Sequence, residues 1–189
     1  MRNTTVIALA SVAAFAVAGA VRSGLQPGEM ASAFDPHHVT GPEKGTDTCM
    51  VCKYPFNPAV VVWVTNDTNA NLGPIAKRLE SHIAKLNASR GPRDQFKAYF
   101  VFVEKSGKAP TQRLTSLATS NGLKNVSLTW VPSKEPAVKD YKIDLSAATK
   151  NTVLVYDKRK VTANFVNLTG DATALAKLDR AIAGVTTKK

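Results

Sequence analysis

Cysteine is scarce in this chain. Two of 189 residues are cysteines, Cys49 and Cys52, so any thiol, disulfide or thiolate–metal chemistry has to run through that one pair. No internal repeat is present, which sets aside solenoids and propellers. No Ser-His-Asp set, phosphate-binding loop or paired-carboxylate motif stands out, so hydrolase and nucleotide-binding signatures are lacking. Acidic residues are few: 14 Asp and Glu against 25 Lys and Arg give a formal net charge of +11. The basic residues are spread along the chain and not gathered in a stripe with exposed aromatics. The excess therefore reads as a solvated surface, with no specific nucleic-acid partner. Beyond residue 21 no apolar stretch is long enough to span a bilayer. What is present suits one globular domain with a real core: 44% of residues are hydrophobic, 21% charged and 7% aromatic, which argues against a disordered or fibrous chain.

The N-terminus reads as an address. Met1, Arg2 and Asn3 form a short positive region, and residues 6–21 are an apolar run broken only by Ser11 and Gly19. Ala18-Gly19-Ala20 supplies the small residues of a cleavage site. This is the pattern of a secretory signal peptide cut after Ala20. The alternative is a retained anchor, since residues 4–21 reach the short end of a membrane span of about 17–25 residues. No cysteine follows the run to carry a lipid. The expected organisation is a signal peptide over 1–20, an arm carrying a C-x-x-C over 21–58, an α/β domain over 59–185 and a basic tail over 186–189. The expected location is extracytoplasmic, periplasmic or secreted, where disulfides persist.

From Arg22 to Thr48, Gln26-Pro27-Gly28 and Gly41-Pro42 are turn signals and Phe34 is the only aromatic anchor. Residues 59–64 (AVVVWV) form an unbroken apolar run, as expected of a strand covered on both faces at the centre of a parallel sheet. Leu72, Ile75, Leu79, Ile83 and Leu86 then recur at helical spacing, with Pro74 as a first-turn signal and Gly91-Pro92 as the stop. A second strand is expected over 96–103, a helix over 111–121 capped by Gly122, a third strand over 126–131 and a short helix over 136–141. A hairpin follows, 152–156 with 161–166. A final helix starts near Asp171, buries Leu175, Leu178 and Ile182, and ends at Gly184. His82 reads as a packing residue near the apolar face of its helix, and Trp63 and Trp130 read as core.

Strand–helix units, a hairpin and a closing helix make an α/β sandwich. With Leu25, Pro27, Gly28 and Phe34 in the arm, the strand at 59–64, the segment 138–143 (VKDYKI) and the hairpin sequence 153–161 (VLVYDKRKV), the chain resembles the thioredoxin-like superfamily. Within it, the likeness is to the peroxiredoxin-related and membrane-anchored thioredoxin-like branch, over residues 25–185. The resemblance implies a three-layer sandwich with a central mixed β-sheet flanked by helices, and a thiol–disulfide role toward protein thiols or disulfides. It also places the reactive cysteine just after the first central strand, at the start of the following helix. In this chain that stretch is 65–72 (TNDTNANL), without a cysteine, and Lys150-Asn151-Thr152 stands where a proline would precede the hairpin. Both departures count against peroxidase chemistry at that place.

The catalytic candidates are instead Cys49 and Cys52, upstream of the central strand and so at its opposite end unless the chain folds back. By analogy with the family, Cys49 is the attacking sulfur. Pro55 and Pro58 leave at most one helical turn after Cys49, so lowering of a thiol pKa would depend on cations such as Lys44 and Lys53. Two other readings stand beside the redox one. The pair can be a permanent short-loop disulfide in a noncatalytic binding or envelope module, although so small a loop constrains the unfolded chain little. Or His37, His38, Cys49 and Cys52 can form a Cys2His2 site for zinc or a soft metal, which requires a turn because adjacent residues on extended chain face opposite ways.

Overall fold

The computed structural model describes residues 21–187; the expected signal peptide and the last two residues of the tail lie outside them. In chain order the elements are β1 (His37–His38), α1 (Met50–Lys53), β2 (Ala59–Val64), α2 (Asn69–Asn87), β3 (Lys97–Glu104), α3 (Thr111–Asn121), β4 (Ser127–Pro132), α4 (Pro136–Asp140), β5 (Asn151–Asp157), β6 (Lys160–Val166) and α5 (Ala172–Thr186). They build one six-stranded sheet in the order β1-β4-β3-β2-β5-β6.

The apolar run of β2 behaves as its composition requires. All six residues are buried, because both faces of the strand are covered. It is parallel to β3, with Val62 opposite Phe100, and antiparallel to β5, with Val62 opposite Val153. The sheet is thus mixed, as the resemblance implied, and β2 is central to it but parallel to β3 alone. The hairpin return brings β5 up against β2 in the opposite direction. Strand alternation splits the core in two. Val60, Val62, Phe100 and Phe102 pack under α2, α3 and α5. Val61, Trp63, Tyr99 and Val101 face the arm, α1 and α4.

Two helix boundaries and one burial depart most from the sequence reading. Helix α2 begins at Asn69, with Thr68 as its cap accepting the Asn71 N–H, so Pro74 lies inside the helix and not in its first turn. Helix α5 starts on Asp171, which caps the Ala174 N–H at 2.9 Å, but it runs through Gly184 to Thr186. There Arg90 hydrogen-bonds the Thr186 carbonyl and Thr186 Oγ1 donates to Ile182 O at 2.8 Å, so a tertiary contact holds the last turn that glycine would otherwise loosen. Trp130 is only partly buried.

The arm is the element that positions the site. It starts on the β6 edge, where Gly28 N–H donates to Val161 O and Val161 N–H to Glu29 O, with a bridge between Met30 and Lys160. It then crosses the sheet face with Phe34 stacked on Trp63, ring centroids 5.2 Å apart. It ends on the other edge as β1, antiparallel to β4 with His37 opposite Trp130. The arm thereby covers part of both sheet edges, which shortens the templates for edge-to-edge association. After β1 the chain turns at Gly41 (φ +89°), where a Cβ would come within 2.7 Å of the Ser127 backbone. Only glycine allows that approach without displacing β4.

Candidate functional site

Cys49 and Cys52 form a disulfide, and they are the only cysteines in the chain. Their Cα atoms are 5.2 Å apart. Cys49 is the N-cap of α1, and its sulfur accepts the Cys52 N–H at 3.1 Å. The helix is a single turn, as Pro55 and Pro58 require. The two sulfurs differ in surroundings. Cys49 is 8% exposed and packs in the arm-side core with Met50 and Val51, whereas Cys52 is exposed.

One turn of helix has little stability of its own, so α1 is held by side chains. Lys53 donates to both carboxylate oxygens of Glu43, at 2.7 and 2.8 Å, and Tyr54 donates its hydroxyl to the same carboxylate at 3.1 Å. Lys97 Nζ lies over the Tyr54 ring, 4.3 Å from its centroid, a favourable cation–π geometry. These bonds set the ionisation of the cluster. The Lys53 hydrogen bonds hold the Glu43 carboxyl below its ordinary range, and the same bonds raise Lys53. Burial pushes the Tyr54 phenol up and Lys97 down. Lys53, expected as a cation for the thiols, is therefore engaged by Glu43. A cavity of about 230 Å³ opens beside α1, lined by Glu43, Met50 and Tyr54 together with Ile83, Lys97 and Ser127. Those last residues mark the start of β3 and β4 and the end of α2, so the disulfide lies at the amino end of the parallel strands.

At the carboxyl end of β2, where the resemblance placed a reactive cysteine, a polar network fills the space. Asp67 is 6% exposed and accepts from the Thr68 N–H at 2.7 Å, from Asn71 Nδ2 at 2.8 Å and from Asn151 Nδ2. Asn151 is fully buried. Its amide also pairs with the backbone of Leu168, donating to the carbonyl and accepting the N–H, both at 2.9 Å. Arg113 donates to Asp67 O at 2.7 Å. The Asn- and Asp-rich run at 65–72 was the visible trace of this network; its partner Asn151, 84 residues away, was not.

The four residues expected as a Cys2His2 set are not brought together as ligands. β1 is extended, so His37 and His38 face opposite ways, one exposed and one buried. His37 Nδ1 bonds Asp47 at 2.6 Å and its ring packs on Trp130. His38 Nε2 donates to Thr48 O at 2.9 Å, and the sulfurs are bonded to each other. Among the described residues no three His, Cys, Asp or Glu side chains are grouped to hold an ion. His82, read as packing, does pack edge-on to Phe96, and it also bonds Asp179 of α5 at 2.8 Å.

His38 has a role that sequence reasoning missed. It fixes Thr48, the residue before Cys49, and its Nδ1 is buried with no partner. Burial lowers its pKa, opposed by the Thr48 carbonyl and the charges of Glu43 and Asp47. A histidine whose folded pKa lies below its unfolded value of about 6.5 contributes stability that is complete above that value and is lost as pH falls through the folded one. Thermal stability should therefore fall between pH 7 and pH 5, and His38→Gln should flatten that part of the curve. Identical pH profiles would refute this role.

No family model matches the sequence, and no curated protein matches it. Solved structures do. Peroxidoxin BcpB from Mycobacterium tuberculosis superposes with a TM-score of 0.62 at 15% identity, over 87% of this chain and 99% of that one. A putative protein disulfide isomerase from Bacteroides thetaiotaomicron gives 0.60 at 15% identity, over 89% and 96%. BsSco, of the Sco family of cytochrome c oxidase assembly proteins, gives 0.56 at 10% identity, over 89% and 100%. The chain has the thioredoxin-like fold, a mixed six-stranded sheet flanked by helices, with its Cys49–Cys52 disulfide at the opposite end of β2 from residues 65–72.

Proposed function

We propose that this protein is an exported thiol–disulfide exchange protein that acts on protein thiols or disulfides through Cys49 and Cys52. The observation that carries the reading is the disulfide itself: both cysteines of the chain are joined across a C-x-x-C in a single helical turn, with Cys52 exposed. A bond spanning so few residues constrains the unfolded chain weakly, so stability is a poor reason for having it. The shared fold with a putative disulfide isomerase supports the same reading. Export is supported by the N-terminal pattern and by the compartment a disulfide needs. Among the described residues no helix is long and apolar enough to cross a membrane.

Redox titration with thiol trapping tests the exchange role. The pair should equilibrate reversibly at about −270 to −180 mV, whereas a potential far below about −300 mV would mark a structural bridge and overturn the reading. For export, the mass of the protein recovered from its native host should correspond to loss of residues 1–20; an intact N-terminus would refute cleavage. The polar network at Asp67 favours a second reading, a thioredoxin-fold binding module that acts without thiols. If replacing both cysteines by serine leaves fold and partner binding unchanged, that reading replaces the first.

A further inference from the structure

We infer that Cys52, not Cys49, is the sulfur that exchanges with the partner, with Cys49 as the buried leaving and resolving sulfur. This deepens the exchange reading and rests on it. Attack on a disulfide needs the nucleophile to approach one sulfur along the S–S axis, so access decides which sulfur is struck. Cys52 is exposed, while Cys49 is 8% exposed and walled in by the arm-side core. The Cys52 N–H points at the Cys49 sulfur from 3.1 Å, so the group positioned to receive the displaced electron pair already has a donor facing it. The order is the reverse of the one that analogy with the family assigned.

The exchange balances as follows. A thiolate of a partner dithiol attacks Cys52 Sγ, the Cys49–Cys52 bond breaks, and its electron pair leaves on Cys49 as a thiolate that accepts the Cys52 N–H. The partner's second thiolate then attacks the partner sulfur of the mixed disulfide and releases Cys52 as a thiolate. The partner loses two electrons and becomes a disulfide; this protein gains them, and the two protons shed by the partner's thiols pass through solvent to the new cysteine thiols. In the opposite direction Cys52 attacks a partner disulfide and Cys49 resolves the mixed species.

A brief pulse of iodoacetamide on the fully reduced protein tests this without any substitution. Both cysteines fall in one tryptic peptide, residues 45–53, so fragment ions assign the label. Cys52 should be alkylated about tenfold faster or more. As a second arm, Cys49→Ser and Cys52→Ser are incubated with oxidised glutathione, and the mixed disulfide should form faster by a similar factor where Cys52 remains. Equal rates, or a faster Cys49, overturn the inference. If Cys52 is the faster sulfur but the pair shows no reversible potential, the sulfur assignment stands and the exchange function fails.

Discussion

Replacing Phe34 with alanine should destabilise the protein by about 3–5 kcal/mol, the usual cost of removing a buried phenyl ring. Phe34 is 7% exposed and sits between Trp63, at 5.2 Å, and Tyr141, at 5.3 Å edge-on. Trp63 is fully buried, so loss of the ring leaves a void against the largest side chain of β2, and neither neighbour can collapse into it without leaving its own contacts. Tyr141 helps to hold the arm, donating its hydroxyl to Ser32 O at 2.7 Å. The same segment leads to β1, Glu43 and α1, so the substitution should also loosen the clamp on the cysteine pair and speed reduction of the disulfide. Denaturant unfolding measures the first effect and the rate of thiol release in dithiothreitol the second. A loss below about 1 kcal/mol would mean that the site was able to collapse, and that the arm does not depend on this ring.

Asp67→Ala is expected to cost about 3 kcal/mol, because it takes the acceptor from one amide N–H each of Asn71 and the buried Asn151, which keep only their bonds to the Leu168 carbonyl, and from the Thr68 N–H. Asp67→Asn keeps an acceptor oxygen and should cost roughly half as much. The reduction potential should be the same in both variants as in the parent, since Asp67 and the disulfide lie at opposite ends of β2. Unchanged stability would show the network to be dispensable. A large shift in potential would show instead that residues 65–72 belong to the redox site. The pairing of a stability effect with an unmoved potential is therefore the informative result.

How much of this was legible in the sequence depended on whether the cause was local. The unbroken AVVVWV run located β2 to the residue, and the helix expected over 111–121 with Gly122 as its cap is α3 with both ends correct. Gly122 takes the left-handed conformation that ends the helix, a constraint written into one residue type. β1 escaped notice because two residues carry no periodicity; it exists only because the arm reaches the free edge of β4. The continuation of α5 past Gly184 depends on Arg90, 96 residues away. The sequence predicted at most a turn after Cys49, from the two prolines, and a turn is there. It carried no sign of which sulfur would be buried.

By itself, the sequence determined the order of strands and helices from β2 onward, the confinement of all thiol chemistry to Cys49 and Cys52, and the absence of cysteine from residues 65–72. These follow from residue identity and short-range spacing. Tertiary structure alone decided that β5 returns antiparallel to β2, that Glu43 ties Lys53 and Tyr54 down, that His37 and His38 face apart, and that Cys52 reaches solvent while Cys49 does not. Each of these is a question of which surface meets which, and it has no answer until segments far apart in the chain exclude water from one another.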